Sequence, residues 1–199
     1  MSKTRYLHYA WNVFLSFWVD LYFLFFSFRW RLIGPKYYFQ TRRYPHFIKT
    51  GDAKTFIEDY AKLHCKGRGL DVGAGAYPLE GARAIDDAKE NAYDIKENSG
   101  SVDFVFSSHT LEHVAYVDKA LGEFARVLRP GGVLFLYLPH PASEMWLPAN
   151  FRHHLHQLPP SEMQERVKAA GFKVVEGTYT PDVYFSYFIR AERLEGGRA

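Results

Sequence analysis

Two groups of histidines hold the side chains best suited to chemistry near neutral pH. His109 and His113 lie in SSHTLEHV, and His153, His154 and His156 crowd into NFRHHLHQLPP. An imidazole titrates close to neutrality, so each ring can take a proton from a hydroxyl or ligate a metal ion. For His113 a packing role at a helix start competes with that reading, and for the second group a solvated loop does. His154 and His156, alternating, could join Glu112 around a divalent ion. Nothing else in the spacing supports a metal site, and none is expected; Glu112 reads as a helix-start carboxylate.

The second chemical signal is LDVGAGAY, a strand running into a glycine turn. Gly73 and Gly75 let backbone approach a ligand closely and take positive φ. Asp86 closes ARAID eleven residues past Gly75, where a carboxylate can accept both hydroxyls of a ribose. Asp94, in AYDI, falls where a third strand would end and can bond an adenine amino group. A dinucleotide fingerprint needs a third glycine and a full helix after the turn, but Tyr77 and Pro78 stand there instead. That counts against a nicotinamide-dependent oxidoreductase.

The elements that must position these residues follow from periodicity. DAKTFIEDYAKLH has Phe56, Ile57, Tyr60 and Leu63 at helical spacing. Three short apolar runs come next, GLDVGAG, ARAID and VDFVFSS. The helix YVDKALGEFARVL, with Leu121, Phe124 and Leu128 on one face, stops at RPGG. The strand VLFLYLP, the helix PSEMQERVKAA and the strands KVVEG and YFSYFIRAERL complete the series. Strands interleaved with helices predict an α/β domain with a mainly parallel sheet.

In this order the pieces LDVGAG, an acidic second strand end, DFVFSSHTLEHV, RVLRPGGVLFLYLP and AAGFKVV resemble class I S-adenosylmethionine-dependent methyltransferases. The resemblance covers about residues 55 to 190, and its histidine-rich loop is similar to that of small methyltransferases acting on bacterial surface glycans. It implies a Rossmann-like fold with sheet order 3-2-1-4-5-7-6 and an antiparallel last strand. S-adenosylmethionine would be the cofactor. Asp71, Gly73 and Gly75 would hold its methionine end, Asp86 the ribose, and Asp94 with Ile95 the adenine. Ser107 and Ser108 would line its other side. His109, His113 and His154 are the candidate bases, because a hydroxyl acceptor must lose a proton whereas an amine need only bind neutral. Trp146 and Tyr137 could form a ring platform, Tyr137 more simply a core residue. The implied acceptor is a small molecule or lipid-linked glycan, with a quinone or other lipid as the alternative; a non-catalytic module of the same fold is the competing class.

Residues 1–33 read as an appended aromatic helix, 34–52 as a linker and 53–199 as the methyltransferase domain. Asn12, Ser16, Asp20, Ser27 and Arg31 make a narrow polar stripe on an otherwise apolar helix. Such a segment can lie in the membrane interface, pack as a lid or dimer element, or span the bilayer with Asp20 as the cost. The first placement is the expectation. Basic residues on its C-terminal flank then put the domain on the cytoplasmic face, peripheral to the membrane. A net charge of +3 without a basic tract excludes nucleic acid as partner. The single cysteine, Cys65, excludes an internal disulfide.

Overall fold

The short apolar runs become strands and the periodic segments become helices. The structure, a computed structural model, describes residues 54, 57–75, 77–86, 90–142, 153–182 and 185–196. All belong to a unit running from Ala53 to Ala199. The aromatic segment 6–33, the linker 34–52 and Trp146 lie outside the described residues. Among those described, no helix is long and apolar enough to cross a membrane.

Helix α1 (Glu58–His64) precedes β1 (Gly69–Val72), β2 (Ala82–Ile85) and β3 (Val102–Ser108). A 3-10 turn (Leu111–His113), α2 (Val117–Val127) and β4 (Leu128–Pro139) follow, then α3 (Pro160–Ala169), β5 (Phe172–Gly177) and β6 (Ser186–Arg193). The six strands form one sheet in the order β2-β1-β3-β4-β6-β5. β2, β1, β3 and β4 are parallel to their neighbours, and β6 runs antiparallel between β4 and β5. This is the expected Rossmann-like arrangement with one correction. The strand expected around Asp94 does not form; Asn91 and Asp94 instead close a short turn by an isolated bridge. Arg83 of β2 pairs there with Glu90 and Glu97, so charged side chains occupy the sheet edge.

Both faces of the sheet are covered, as parallel strands require. Leu70, Val72, Val105, Leu134 and Leu136 pack with Leu121 and Phe124 of α2 and Met163 and Val167 of α3. On the opposite face Phe104, Phe106 and Phe135 pack with Ala61, Cys65 and Leu79. Burial pushes the Cys65 thiol up to about 12, which makes it an inert core residue. Leu63, expected on the buried face of α1, is 65% exposed; Ile57, Tyr60 and Ala61 carry that face. RPGG ends α2 as expected but lies inside β4. Val102 pairs with Leu128 and Phe104 with Val133, so Arg129–Gly132 bulge out of register.

Candidate active site

The parallel strands end on one side, and there the chemistry-bearing residues gather. After β1, Gly73 takes φ +77° and Gly75 φ +57°. The Gly73 amide donates to the Ile85 carbonyl, and a Cβ on Gly73 would stand 1.9 Å from Oγ1 of Thr110. Only glycine fits this crossing of the β1 turn and the loop after β3. The Gly75 amide donates to Oδ2 of the exposed Asp86 at 2.9 Å, which brings the end of β2 onto the turn.

Asp71 points inward. Its Oδ2 accepts the Leu79 amide at 2.7 Å and lies 3.7 Å from Nζ of the buried Lys54. Burial raises its pKa to about 6, against the pull of Lys54. Its visible work is to fasten the loop between β1 and β2. Ser107 is committed in the same way, donating to the Val72 carbonyl. Ser108 Oγ, by contrast, is buried with no hydrogen-bond partner among the described residues. Asp94 pairs with Lys96, and Ile95 is bound to α2 through Glu123 and Arg126. No described contact joins Asp94 or Ile95 to the glycine turn.

Beyond β3 the chain turns sharply. His109 adopts φ +49°, a conformation rare outside glycine, and its amide donates to the Tyr137 carbonyl of β4. Strain of this kind concentrates at functional sites. The 3-10 turn then carries Glu112 into the interior, fully buried. Three imidazoles converge on its Oε1: His109 Nδ1 at 3.5 Å, His113 Nε2 at 3.7 Å and His154 Nε2 at 3.9 Å. Desolvation raises the Glu112 pKa to about 8 and lowers that of His109 to about 3; burial also lowers that of His113. At neutral pH the His109 and His113 rings are neutral beside a carboxyl that resists ionising.

Two of the rings, His109 and His113, are oriented by hydrogen bonds to their surroundings. His109 Nε2 is 3.0 Å from Oγ of Ser186, and His113 Nδ1 donates to the His153 carbonyl at 2.8 Å. The Leu155 amide donates to the Glu112 carbonyl, which straps the histidine-rich loop to the turn. His156 departs: its Nε2 bonds the Val114 carbonyl instead of facing Glu112. The three candidate bases are therefore together, around a carboxyl that the sequence suggested was only structural. The EH pair in LEHV was its one signal. Lys54, Ser186 and the hydrogen bond from Tyr137 to Asp182 were also missed, because each contact spans a long stretch of chain. Beside the cluster, an open recess of about 730 Å³ is lined by Tyr116, Lys119, Leu155, His156 and Arg166.

The stretch that carries the glycine turn is similar to known proteins. Residues 54–136 match the family model described as a methyltransferase domain. Over those residues the chain is similar to methyltransferase domains. Its cofactor is S-adenosylmethionine, and the residues present suit that group: a glycine turn at a strand end, the exposed Asp86 carboxylate fastened to it, and the partnerless Ser108 hydroxyl nearby.

The chain has curated relatives named ubiquinone biosynthesis O-methyltransferase. That of Brucella anthropi is 24% identical over 71% of this chain and 62% of its own length. That of Sinorhizobium fredii is 28% identical over 59% and 48%. The chain thus spans between about half and three fifths of the length of these relatives. Among solved structures, a chain from the complex of the Haloferax volcanii Trm112 methyltransferase activator with a methyltransferase superposes with a TM-score of 0.57 at 16% identity. It covers 76% of this chain and 98% of that one. Haemonchus contortus phosphoethanolamine N-methyltransferase 2 in complex with S-adenosyl-L-methionine superposes with a TM-score of 0.54 at 14% identity, over 72% and 53% of the two chains. At these identities the structural likenesses establish the fold.

Proposed function

We propose that the chain is an O-methyltransferase whose acceptor is a hydroxyl on a membrane-borne molecule, a phenolic quinone precursor in preference to a sugar. One observation carries this reading. Thr110, whose side chain closes over Gly73, belongs to the same loop as His109 and Glu112, so the cofactor turn and the titratable cluster adjoin. The sulfonium of S-adenosylmethionine supplies an electrophilic methyl group. The chain's own tasks are to align an oxygen with that methyl and to take its proton. Asp86, Gly73, Gly75 and Ser108 serve the first half of this task. The His109, Glu112, His113 and His154 cluster serves the second, with His113 its most exposed member. The neighbouring recess, with exposed Tyr116 and Leu155 on its wall, offers an apolar surface to an aromatic acceptor.

The names of the relatives favour the phenolic ring; the glycan expected from the sequence has no support among them. The aromatic helix proposed for residues 6–33 suits a lipid-borne acceptor of either kind, and carbonate extraction of membranes tests its peripheral placement. The acceptor is tested by incubating the protein and S-adenosylmethionine labelled in the methyl group with separated lipid-quinone and lipid-linked glycan fractions. Label in the quinone fraction supports the proposal. Label in the glycan fraction alone transfers it to a sugar hydroxyl, and label in neither overturns it.

A further inference from the structure

Glu112 is fully buried, and among the described residues neither carboxylate oxygen has a hydrogen-bond partner. Native proteins rarely leave a buried carboxyl so, because an ionised one needs a counter-charge and a neutral one needs its proton bonded. The surroundings are suited to a cation. Glu112, His113 and His154 each present a ligand atom, and these atoms lie within 4.8 Å of one another. From Glu112 Oε1 the two imidazole nitrogens stand 3.7 and 3.9 Å away. Bonds of about 2.0–2.2 Å in a tetrahedral site put ligand atoms roughly 3.4 Å apart, so a small contraction closes the set.

The ring of His113 is also oriented as a ligand is. Its Nδ1 donates to the His153 carbonyl, which directs Nε2 toward Glu112. Metal-bound histidines characteristically give their other nitrogen to such a carbonyl. His109 Nδ1, 3.5 Å from the same oxygen, can orient Glu112 without joining the set. Two imidazoles and one carboxylate suit zinc and its first-row neighbours, with a fourth position left for a small ligand.

We propose that Glu112, His113 and His154 bind one divalent transition-metal ion, zinc being the type, with the fourth position facing the acceptor. This replaces the sequence-based set of Glu112, His154 and His156 and the expectation of no metal. The ion's catalytic consequence rests on the methyl-transfer reading: a hydroxyl drawn to that position gives up its proton to solvent more readily. Metal binding itself does not rest on that reading.

The test uses the full chain, stripped with a chelator and titrated with Zn²⁺ by calorimetry and with Co²⁺ in the visible spectrum. One equivalent of either ion is expected, with the intense absorption of four-coordinate cobalt. Glu112→Gln and His154→Asn should weaken binding more than tenfold and leave S-adenosylhomocysteine binding in the same samples intact. Should those two buried variants fail to fold, His113→Ala at the more exposed position must show the same loss. A wild-type chain that takes up no stoichiometric ion overturns the proposal, as do folded variants that bind as tightly as wild type. Wild-type protein that binds the metal but not S-adenosylhomocysteine would instead overturn the methyl-transfer reading and leave the metal site standing.

Discussion

The Gly75 amide donates to Oδ2 of Asp86 at 2.9 Å, so the acid that closes β2 is fastened to the turn that closes β1. Ten residues lie between the two, too few for the helix that ordinarily joins such strands. The hydrogen bond supplies locally the register that a packed crossover helix would otherwise enforce.

Asp86→Ala therefore removes the tether of the turn and, on the proposed reading, a ribose acceptor with it. Calorimetry should show S-adenosylhomocysteine binding weakened well over tenfold. Asp86→Asn keeps a side-chain oxygen for Gly75 and should lose less. Equal affinity in wild type and Asp86→Ala would show that the cofactor lies elsewhere.

Two glycines with similar dihedral angles should respond differently to a methyl group. Gly73→Ala places a Cβ against Thr110 at positive φ and should cost about 3 kcal/mol of stability. Gly81 has φ +86° but nothing within 4 Å, so Gly81→Ala should cost about 1 kcal/mol. Urea unfolding of both variants measures the contrast, and equal losses would refute the crossing of turn and loop.

Metal-free protein should lose stability as pH rises because of Glu112. Its pKa climbs from an ordinary 4.5 to about 8 on folding, so between those values the folded chain keeps a proton that the unfolded chain has released. Each pH unit in that window costs up to about 1.4 kcal/mol. Glu112→Gln removes the term, so its stability relative to wild type should increase steadily from about pH 4.5 to pH 8. His109, whose pKa falls to about 3, has the opposite sign and loses its contribution as pH falls through the region below 6.5. Melting curves of wild type and Glu112→Gln across this range isolate the carboxyl. A constant difference would mean that Glu112 titrates normally.

The Tyr187 hydroxyl donates to the Leu158 carbonyl at 2.6 Å in the interior and holds the end of the histidine-rich loop. Tyr187→Phe leaves that carbonyl unpaired and should cost about 1–2 kcal/mol. Chemical denaturation checks the value, and an unchanged midpoint would mean that water replaces the hydroxyl.

The glycine turn and the acid fastened to it were legible in the sequence because their signals are local. Gly73, Gly75 and Asp86 announce themselves within a short stretch, and hydrophobic periodicity outlines the strands behind them. AYDI was misleading: its apolar content suits a strand, but Arg83, Glu90 and Glu97 form a charged edge there. Glu112 was undervalued because its burial depends on Leu155 strapping a loop some forty residues later in the chain. The same register brings His113 to the carboxyl and sends His156 to Val114, a choice that alternation of histidines does not encode.

The antiparallel seat of β6 has a temporal consequence. Ser186, the first residue of that strand, bonds His109 across 77 positions of sequence, and β6 also separates β4 from β5. During synthesis the β1–β4 portion can pair strand by strand as it emerges. The histidine cluster gains its rear wall only when the last residues of the domain leave the ribosome. A nascent chain can therefore hold its cofactor turn before it has a finished acceptor side, so loss of the C-terminal strand should disable methyl transfer more completely than it disables cofactor capture.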